Sequence, residues 1–494
     1  MLLLLCSIVL PLLLLVIISN NHNGHSSLPR APWPRLPLIG NLFFLHHTPT
    51  VASLTDVLRR LHAVHGPVQA SHLHRLPWHR ALVNMGSTFA HRPTSWYTGL
   101  NSHGVNSATY GSRWGRLRRN LCSHLAGEHV AGVLRSSSGR LVKNLESAAG
   151  KNGGDVVTPS GTFRHAVFGF FAALCFGEGV EEDKLGSLRG LHAEIISLIV
   201  ELDAFNLVPV FVQVVCYFPR WRKLMRAQRR HHVLVTDIIS ARRRRREEGV
   251  GCDVAEPRCY VDTLLGLGLG EDEMVSLCWE YMNASVKTTT TALEWIMARL
   301  VLHQQKLRDD IARQASGDHT CGERRRRPFV EAVVLEALRL HPPAHYLLAH
   351  TTDKDVTLDK HVIPKGSIVN FDVASIGRDA TLWAEPSVFR PDRFMGGGEG
   401  FDVHCTTGCG GGGGPETMKM IPFGAGRRVC PGAGVAMTVL QSFVEELVRR
   451  FKWIPVDSKV GTDVDMTEKP GIITEMRVPL QTRLVVKRDN LLFE

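Results

Sequence analysis

Zinc-finger spacings, paired redox cysteines and a regular disulfide framework are all missing from this chain. Its 11 cysteines among 494 residues are odd in number and irregularly placed. The pairs Cys252/Cys259 and Cys405/Cys409 have neither a second CxxC-type pair nor a histidine cluster beside them, so the cysteines read as reduced, structural thiols. No internal repeat is present. No nucleic-acid module or interleaved aromatics accompany the arginine runs Arg242 to Arg246 and Arg324 to Arg327, which supply much of the net charge of +11. Those runs read as solvated surface, with an acidic protein partner or anionic lipid as the alternative contact.

Long uncharged runs are scarce as well. Leu2 to Ile18 is the one credible membrane span, broken only by Ser7 and Pro11 and close to the ~20 residues that a bilayer core takes as helix. It exceeds the ~7–15 residues of a signal-peptide apolar region, lacks a basic leader, and is followed by no small-x-small cleavage pattern; a cleaved signal is the alternative. The basic residues that follow, Arg30 and Arg35, favour a cytosolic body. We therefore expect a membrane anchor over residues 1–19 and a polar, Pro-rich linker over 20–41. Between Leu28 and Pro37 the prolines fix φ and remove donors, which keeps that linker extended.

What remains, 42–494, has ordinary globular composition, 44% apolar and 21% charged, with enough apolar residues for a large core. From about 50 to 345 the apolar spacing is helical, as in Leu188 to Leu202, His231 to Arg242, Glu273 to Leu300 and Pro328 to Leu340. Strand-like runs punctuated by turns follow between 351 and 375, and Ile472-Ile473 and Arg483 to Val486 repeat that signal. The fold class is thus mainly α with a smaller β part. Gly408 to Gly414 reads as a loop.

Chemistry concentrates in residues 422–432, Pro-Phe-Gly-Ala-Gly-Arg-Arg-Val-Cys-Pro-Gly, just ahead of the helix-compatible stretch Val435 to Val448. Cys430 sits where backbone N–H groups and a helix dipole stabilise negative charge, which predicts a lowered thiol pKa and a thiolate environment. Gly424, Gly426 and Gly432 permit close approach and positive φ. A phosphate loop needs GxxxxGK[ST] or GxGxxG after a strand, and a catalytic or redox cysteine needs a partner; neither fits here.

Phe423-x-x-Gly426-x-Arg428-x-Cys430-x-Gly432 resembles the haem signature of the cytochrome P450 superfamily, and the rest of the chain looks most like its plant microsomal branch. The resemblance implies the cytochrome P450 fold preceded by a transmembrane helix, haem b with Cys430 as the metal ligand, and Phe423, Gly426, Arg428 and Gly432 at the cofactor. It further implies that Glu336-Ala337-Leu338-Arg339 and Arg393 form a buried triad, although an i,i+3 pair alone reads as surface. Trp114-x-x-x-Arg118 resembles the family's propionate-contacting helix, and His350 a further propionate contact.

Asn283-Ala284-Ser285-Val286-Lys287-Thr288-Thr289 resembles the oxygen-activation segment, with Thr288 as the hydroxyl that hydrogen-bonds oxygen and water. An alternative is a threonine bonded back to its own helix. Lys287 stands where the family carries an acid. It either relays protons as a partly buried lysine or marks impaired oxygen chemistry. The segments Val68 to Arg92 and Asp310 to Pro328 are shorter than the resemblance implies. The implied activity is a monooxygenase that inserts one atom of O2 into a hydrophobic small molecule with electrons from NADPH through NADPH-cytochrome P450 reductase. Its implied location is the endoplasmic reticulum membrane, single-pass, with the catalytic domain cytosolic and lipid as a partner. The alternative is a haem-binding, non-oxygenating protein. The implied pocket draws on Leu100 to Ala108, Phe205 to Phe211, Met282 to Thr288, His345 to Leu348 and Ile472 to Met476.

Overall fold

A computed structural model describes residues 77–93, 104–150, 155–203, 210–248, 259–315, 328–358, 361–403, 419–456, 464–469 and 471–487. The expected anchor, its linker and the Gly408 to Gly414 loop lie outside these residues. Among the described residues no helix is long and apolar enough to cross a membrane.

Twelve helices are described: α1 (Pro77–His79), α2 (Ser112–Leu125), α3 (His129–Ala148), α4 (Ser160–Phe176), α5 (Glu182–Asp203), α6 (Val210–Glu247), α7 (Tyr260–Leu265), α8 (Glu271–His303), α9 (Gln305–Ala315), α10 (Phe329–Leu340), α11 (Val373–Gly377) and α12 (Ala433–Arg450). The strands are β1 (Val156–Val157), β2 (His350–Thr351), β3 (Val356–Leu358), β4 (His361–Ile363), β5 (Ile368–Val369), β6 (Phe451–Pro455), β7 (Glu468–Lys469), β8 (Glu475–Met476) and β9 (Thr482–Val486). The helical stretches read from apolar spacing fall within α5, α6 and α8, and the fourth matches α10 from Phe329, with Pro328 as its N-cap.

The core lies among α4, α8, α10 and α12. Helix α4 is apolar nearly all round, with Phe163, Phe168, Phe170, Phe171 and Phe176 buried, which fits a helix enclosed by others. Helix α8 begins with Glu271, Asp272 and Glu273 in its first turn, where carboxylates complement the helix dipole. Its middle buries Thr289 to Ala298 without interruption. Strands β1, β9 and β6 form an antiparallel sheet in that order, and β2/β5, β3/β4 and β7/β8 are antiparallel pairs.

Several local expectations are corrected. Ile472-Ile473 is not a strand; the pairing residues are Glu475 and Met476, and Ile472 is exposed. The short segment from Val68 to Arg92 is described from Pro77, where it carries α1 and a π-turn over Arg80–Asn84 and, among the described residues, a bridge from His91 to Thr351. The arginine run at 242–246 is not all solvated. Arg242 grips Asp262 through two hydrogen bonds of 2.9 and 2.7 Å, and Arg246 donates to Asp262 O.

Candidate active site

The cysteine loop is shaped by contacts that only glycine allows. Gly426 has φ of 70°, and a Cβ there would stand 1.8 Å from Leu82 O, so the loop lies directly on the π-turn that follows α1. Cys430 N donates to Phe423 O at 2.8 Å, folding the loop back on itself. Gly432, with φ of −92°, does not use the left-handed conformation expected of it. Cys430 is partly exposed, just ahead of α12. Its thiol is corrected from the acidic group expected: loss of water pushes it above its ordinary value, while the Gly432 N–H and Arg118 pull the other way. A cation on the sulfur would favour the thiolate.

A cluster of cations flanks this loop. Arg118, on α2, donates to Val429 O, and its guanidinium lies 5.6 Å from the centre of the Trp114 ring. Arg428 lies over the same ring at 4.7 Å and donates to Ala90 O, Val105 O and Ala108 O. Trp114 is buried and donates to Val105 O at 3.0 Å. His350 is buried and holds Phe89 O from Nδ1 at 2.6 Å. Burial, then Arg92, depresses its pKa to about 4, with Phe89 O opposing and Arg428 adding, so the imidazole is neutral and its Nδ1 is the donor.

Arg92 was not singled out from the sequence. It donates to Leu348 O at 2.7 Å and Ala349 O at 2.9 Å. Desolvation brings its pKa down to about 10, opposed by Glu280 and aided by Arg118. Desolvation, Arg92 and Arg118 bring Arg428 to about 9. Against these three guanidiniums stands Glu280 of α8, also missed. Its carboxyl is raised to about 7 by desolvation, against the N–H groups of Asn106 and Val105 and the charges of Arg428 and Arg92. Such an excess of positive charge suits a ligand that brings two carboxylates.

The triad is formed as expected and is wholly buried. Arg339 binds Glu336 through two bonds of 2.7 and 2.8 Å, and Arg393 reaches the same carboxylate at 3.2 Å. Glu336 also accepts from Arg390 N at 2.8 Å, and Arg393 is bound by Glu399. The remaining guanidinium donors go to Gly377 O, Pro386 O and Glu385 O. All three side chains have no exposed surface.

On α8, Thr288 takes the alternative reading: its hydroxyl donates to Ala284 O at 2.6 Å. Ser285 does likewise to Tyr281 O. Lys287 forms an ion pair with Glu475 of β8, Nζ to Oε1 3.0 Å. The strand pair β7/β8 is held at its other end by Glu468, against His341, His345 and Arg378 at 3.2–3.4 Å. Both imidazoles and Arg378 overcome the burial that opposes ionisation and keep that carboxylate well below its usual range. His341 stacks on Trp295 at 4.1 Å and accepts from Arg299. Of the expected pocket, residues 104–108, 282–288, 345–348 and 472–476 are described; Leu100 to His103 and Phe205 to Pro209 lie outside the described residues, as do the side chains of Val210 and Phe211.

The family model "Cytochrome P450" matches residues 29–477. Cytochrome P450 89A9 of Arabidopsis thaliana is 31% identical, over 93% of this chain and 94% of the relative. Norfluorocurarine oxidase of Strychnos is 25% identical, over 94% and 93%. A zebra fish cytochrome P450 solved with abiraterone shares the fold at a TM-score of 0.66 and 21% identity, over 88% of this chain and 99% of that one. A retinoic acid-bound cyanobacterial CYP120A1 gives 0.65 and 19%, over 83% and 87%. The chain belongs to the cytochrome P450 family, and within it to the plant enzymes. It is an oxidoreductase, a haem monooxygenase in general terms. Haem carries two propionates, and the donor set around Arg428 fits them.

Proposed function

We propose that haem b seats with its iron on Cys430 Sγ and its propionates among Arg92, Arg118, Trp114, His350 and Arg428. The observation that carries this reading is the convergence of three guanidiniums, answered by a single carboxylate, beside the glycine-shaped loop of Cys430. When bound, haem supplies the reduction of dioxygen by two electrons and two protons, with one oxygen atom passing to substrate and the other leaving as water. The chain's own residues hold and orient. Gly426 and Phe423 fix the height of the cysteine loop, and the Glu336–Arg339–Arg393 triad fixes the segment from Gly377 to Glu399 behind it. The Lys287–Glu475 pair supplies exchangeable protons on α8 and β8. A hydrophobic small molecule is the proposed substrate class, which the small molecules named in the related structures support.

NADPH-cytochrome P450 reductase is the proposed electron donor. Leu2 to Ile18 is the proposed single-pass anchor in the endoplasmic reticulum membrane, in contact with lipid, with the body cytosolic. The test is purified holoprotein with reductase, NADPH and a panel of apolar compounds, read by product mass. Products carrying one added oxygen from labelled O2 support the oxygenase. A second reading, a haem protein with impaired oxygen insertion, is favoured by Lys287 at the acid position and by the internally bonded Thr288. Substrate-stimulated NADPH oxidation with no oxygenated product would select it.

A further inference from the structure

The one carboxylate among the cofactor-site cations also has a mechanical task. Glu280 accepts the backbone N–H of Val105 on one oxygen and that of Asn106 on the other. These partners lie 175 and 174 residues away in sequence, so the contact joins α8 to a loop that belongs to no helix or strand. The approach is as close as glycine permits: a Cβ on Gly104 would stand 2.6 Å from Glu280 Oε2. The same short loop supplies the carbonyls that aim the cofactor-site side chains. Val105 O accepts from both Trp114 Nε1 and Arg428, and Ala108 O accepts from Arg428 at 2.6 Å.

We propose that Glu280 is a positioning residue, a two-pronged latch that closes the 104–108 loop onto α8 and thereby aims Arg428 and Trp114 at the cofactor. The inference rests on the haem site proposed above. Two hydrogen bonds to one carboxylate fix both the position and the tilt of the loop, which one bond could not. With the latch released, Val105 O and Ala108 O move off Arg428, and the guanidinium loses the fork that holds it in place. Above about pH 7 Glu280 also carries charge, and the two effects oppose each other. Removing a negative group beside Arg92 and Arg428 makes the site more attractive to propionates, whereas releasing the loop makes it less ordered.

Three variants separate the two effects: Glu280→Ala removes latch and charge, Glu280→Gln removes charge and keeps one acceptor, and Gly104→Ala forces the latch apart with the charge intact. Hydrogen exchange at Val105 and Asn106 is measured in the full-length protein with and without haem, and haem loss is measured by transfer to excess apomyoglobin. We expect exchange at these two amides to rise roughly tenfold or more in Glu280→Ala and Gly104→Ala, the loss of charge-assisted bonds. Protection in α10 and α12 should stay unchanged. Haem loss should accelerate in both variants, with Glu280→Gln between them and the wild type. Unchanged exchange at Val105 and Asn106 in Glu280→Ala overturns the latch. Slower haem loss in Glu280→Ala overturns its role in aiming Arg428, because charge relief then dominates. A wild-type protein that takes up no haem fails the haem reading separately, and exchange in the haem-free protein still reports on the latch.

Discussion

Around Glu336 two guanidiniums meet two carboxylates, Glu336 and Glu399, and their spare donors end on backbone carbonyls. Around Arg428 three guanidiniums and a neutral imidazole meet the single carboxylate of Glu280. Both clusters are built from arginine, and both tie distant segments together. They differ in whether the charge is closed. A cluster that balances itself is a structural part, and its loss leaves a buried charge without a partner. A cluster left with surplus charge of one sign is a place prepared for a ligand of the other sign.

The comparison can be broken most forcefully at its balanced end. Glu336→Gln leaves Arg339 and Arg393 without their shared counter-charge and should cost about 3–5 kcal/mol, read as a lower urea midpoint with or without haem. Equal loss confined to the haem-loaded protein would move the triad into the cofactor site. Acid should weaken both regions together. Burial, as the first cause, holds His341, at the end of the helix that carries Glu336 and Arg339, and His350, among the cations, at about 4, below the ~6.5 of an unfolded chain. Unfolding lets each bind a proton that the fold refuses. Their contribution is therefore complete above pH 6.5 and lost as pH falls from 6.5 to about 4. The urea midpoint should drop across that window by the equivalent of at least about 2 kcal/mol. A flat profile there would mean that these imidazoles are already charged in the fold.

At the unbalanced end, Arg118→Ala should speed haem loss about tenfold, the value of a charge-assisted bond. The haem-free protein should change little, since removing one of three mutually repelling cations offsets the lost bond to Val429 O. The smallest effect concerns Lys287 and Glu475, which are partly exposed. A double-mutant cycle should give a coupling no larger than about 1 kcal/mol. Lys287→Asp sets two carboxylates against each other, so a gain in coupled turnover is expected only in Lys287→Asp/Glu475→Gln. A gain from Lys287→Asp alone would show that Glu475 is no part of the arrangement.

What could be read from the sequence was local. Phe423 to Gly432, the Glu336/Arg339 spacing and Trp114/Arg118 each lie within about ten residues, so one loop or one helix face brings them together. The carboxylate of Glu280 and the terminal nitrogen of Arg92 reach residues 174 to 257 positions away, and nothing in their neighbours announces it. The faint signal for Glu280 was a carboxylate set between buried Trp279 and Tyr281. Ile472-Ile473 misled because apolarity marked a strand where pairing and burial fall two residues later. Thr288 could not be placed from sequence at all, since a helix-interior threonine serves its own carbonyl as readily as a ligand.

The central claim is that haem iron is held by the thiolate of Cys430. Its most direct test is the absorbance spectrum of the reduced, carbon monoxide-bound holoprotein, compared with that of Cys430→His. The account predicts the red-shifted Soret band of thiolate ligation in the wild type and its replacement by the imidazole-type band in the variant. A wild-type spectrum of the imidazole type, or a thiolate-type band that survives in Cys430→His, would contradict it.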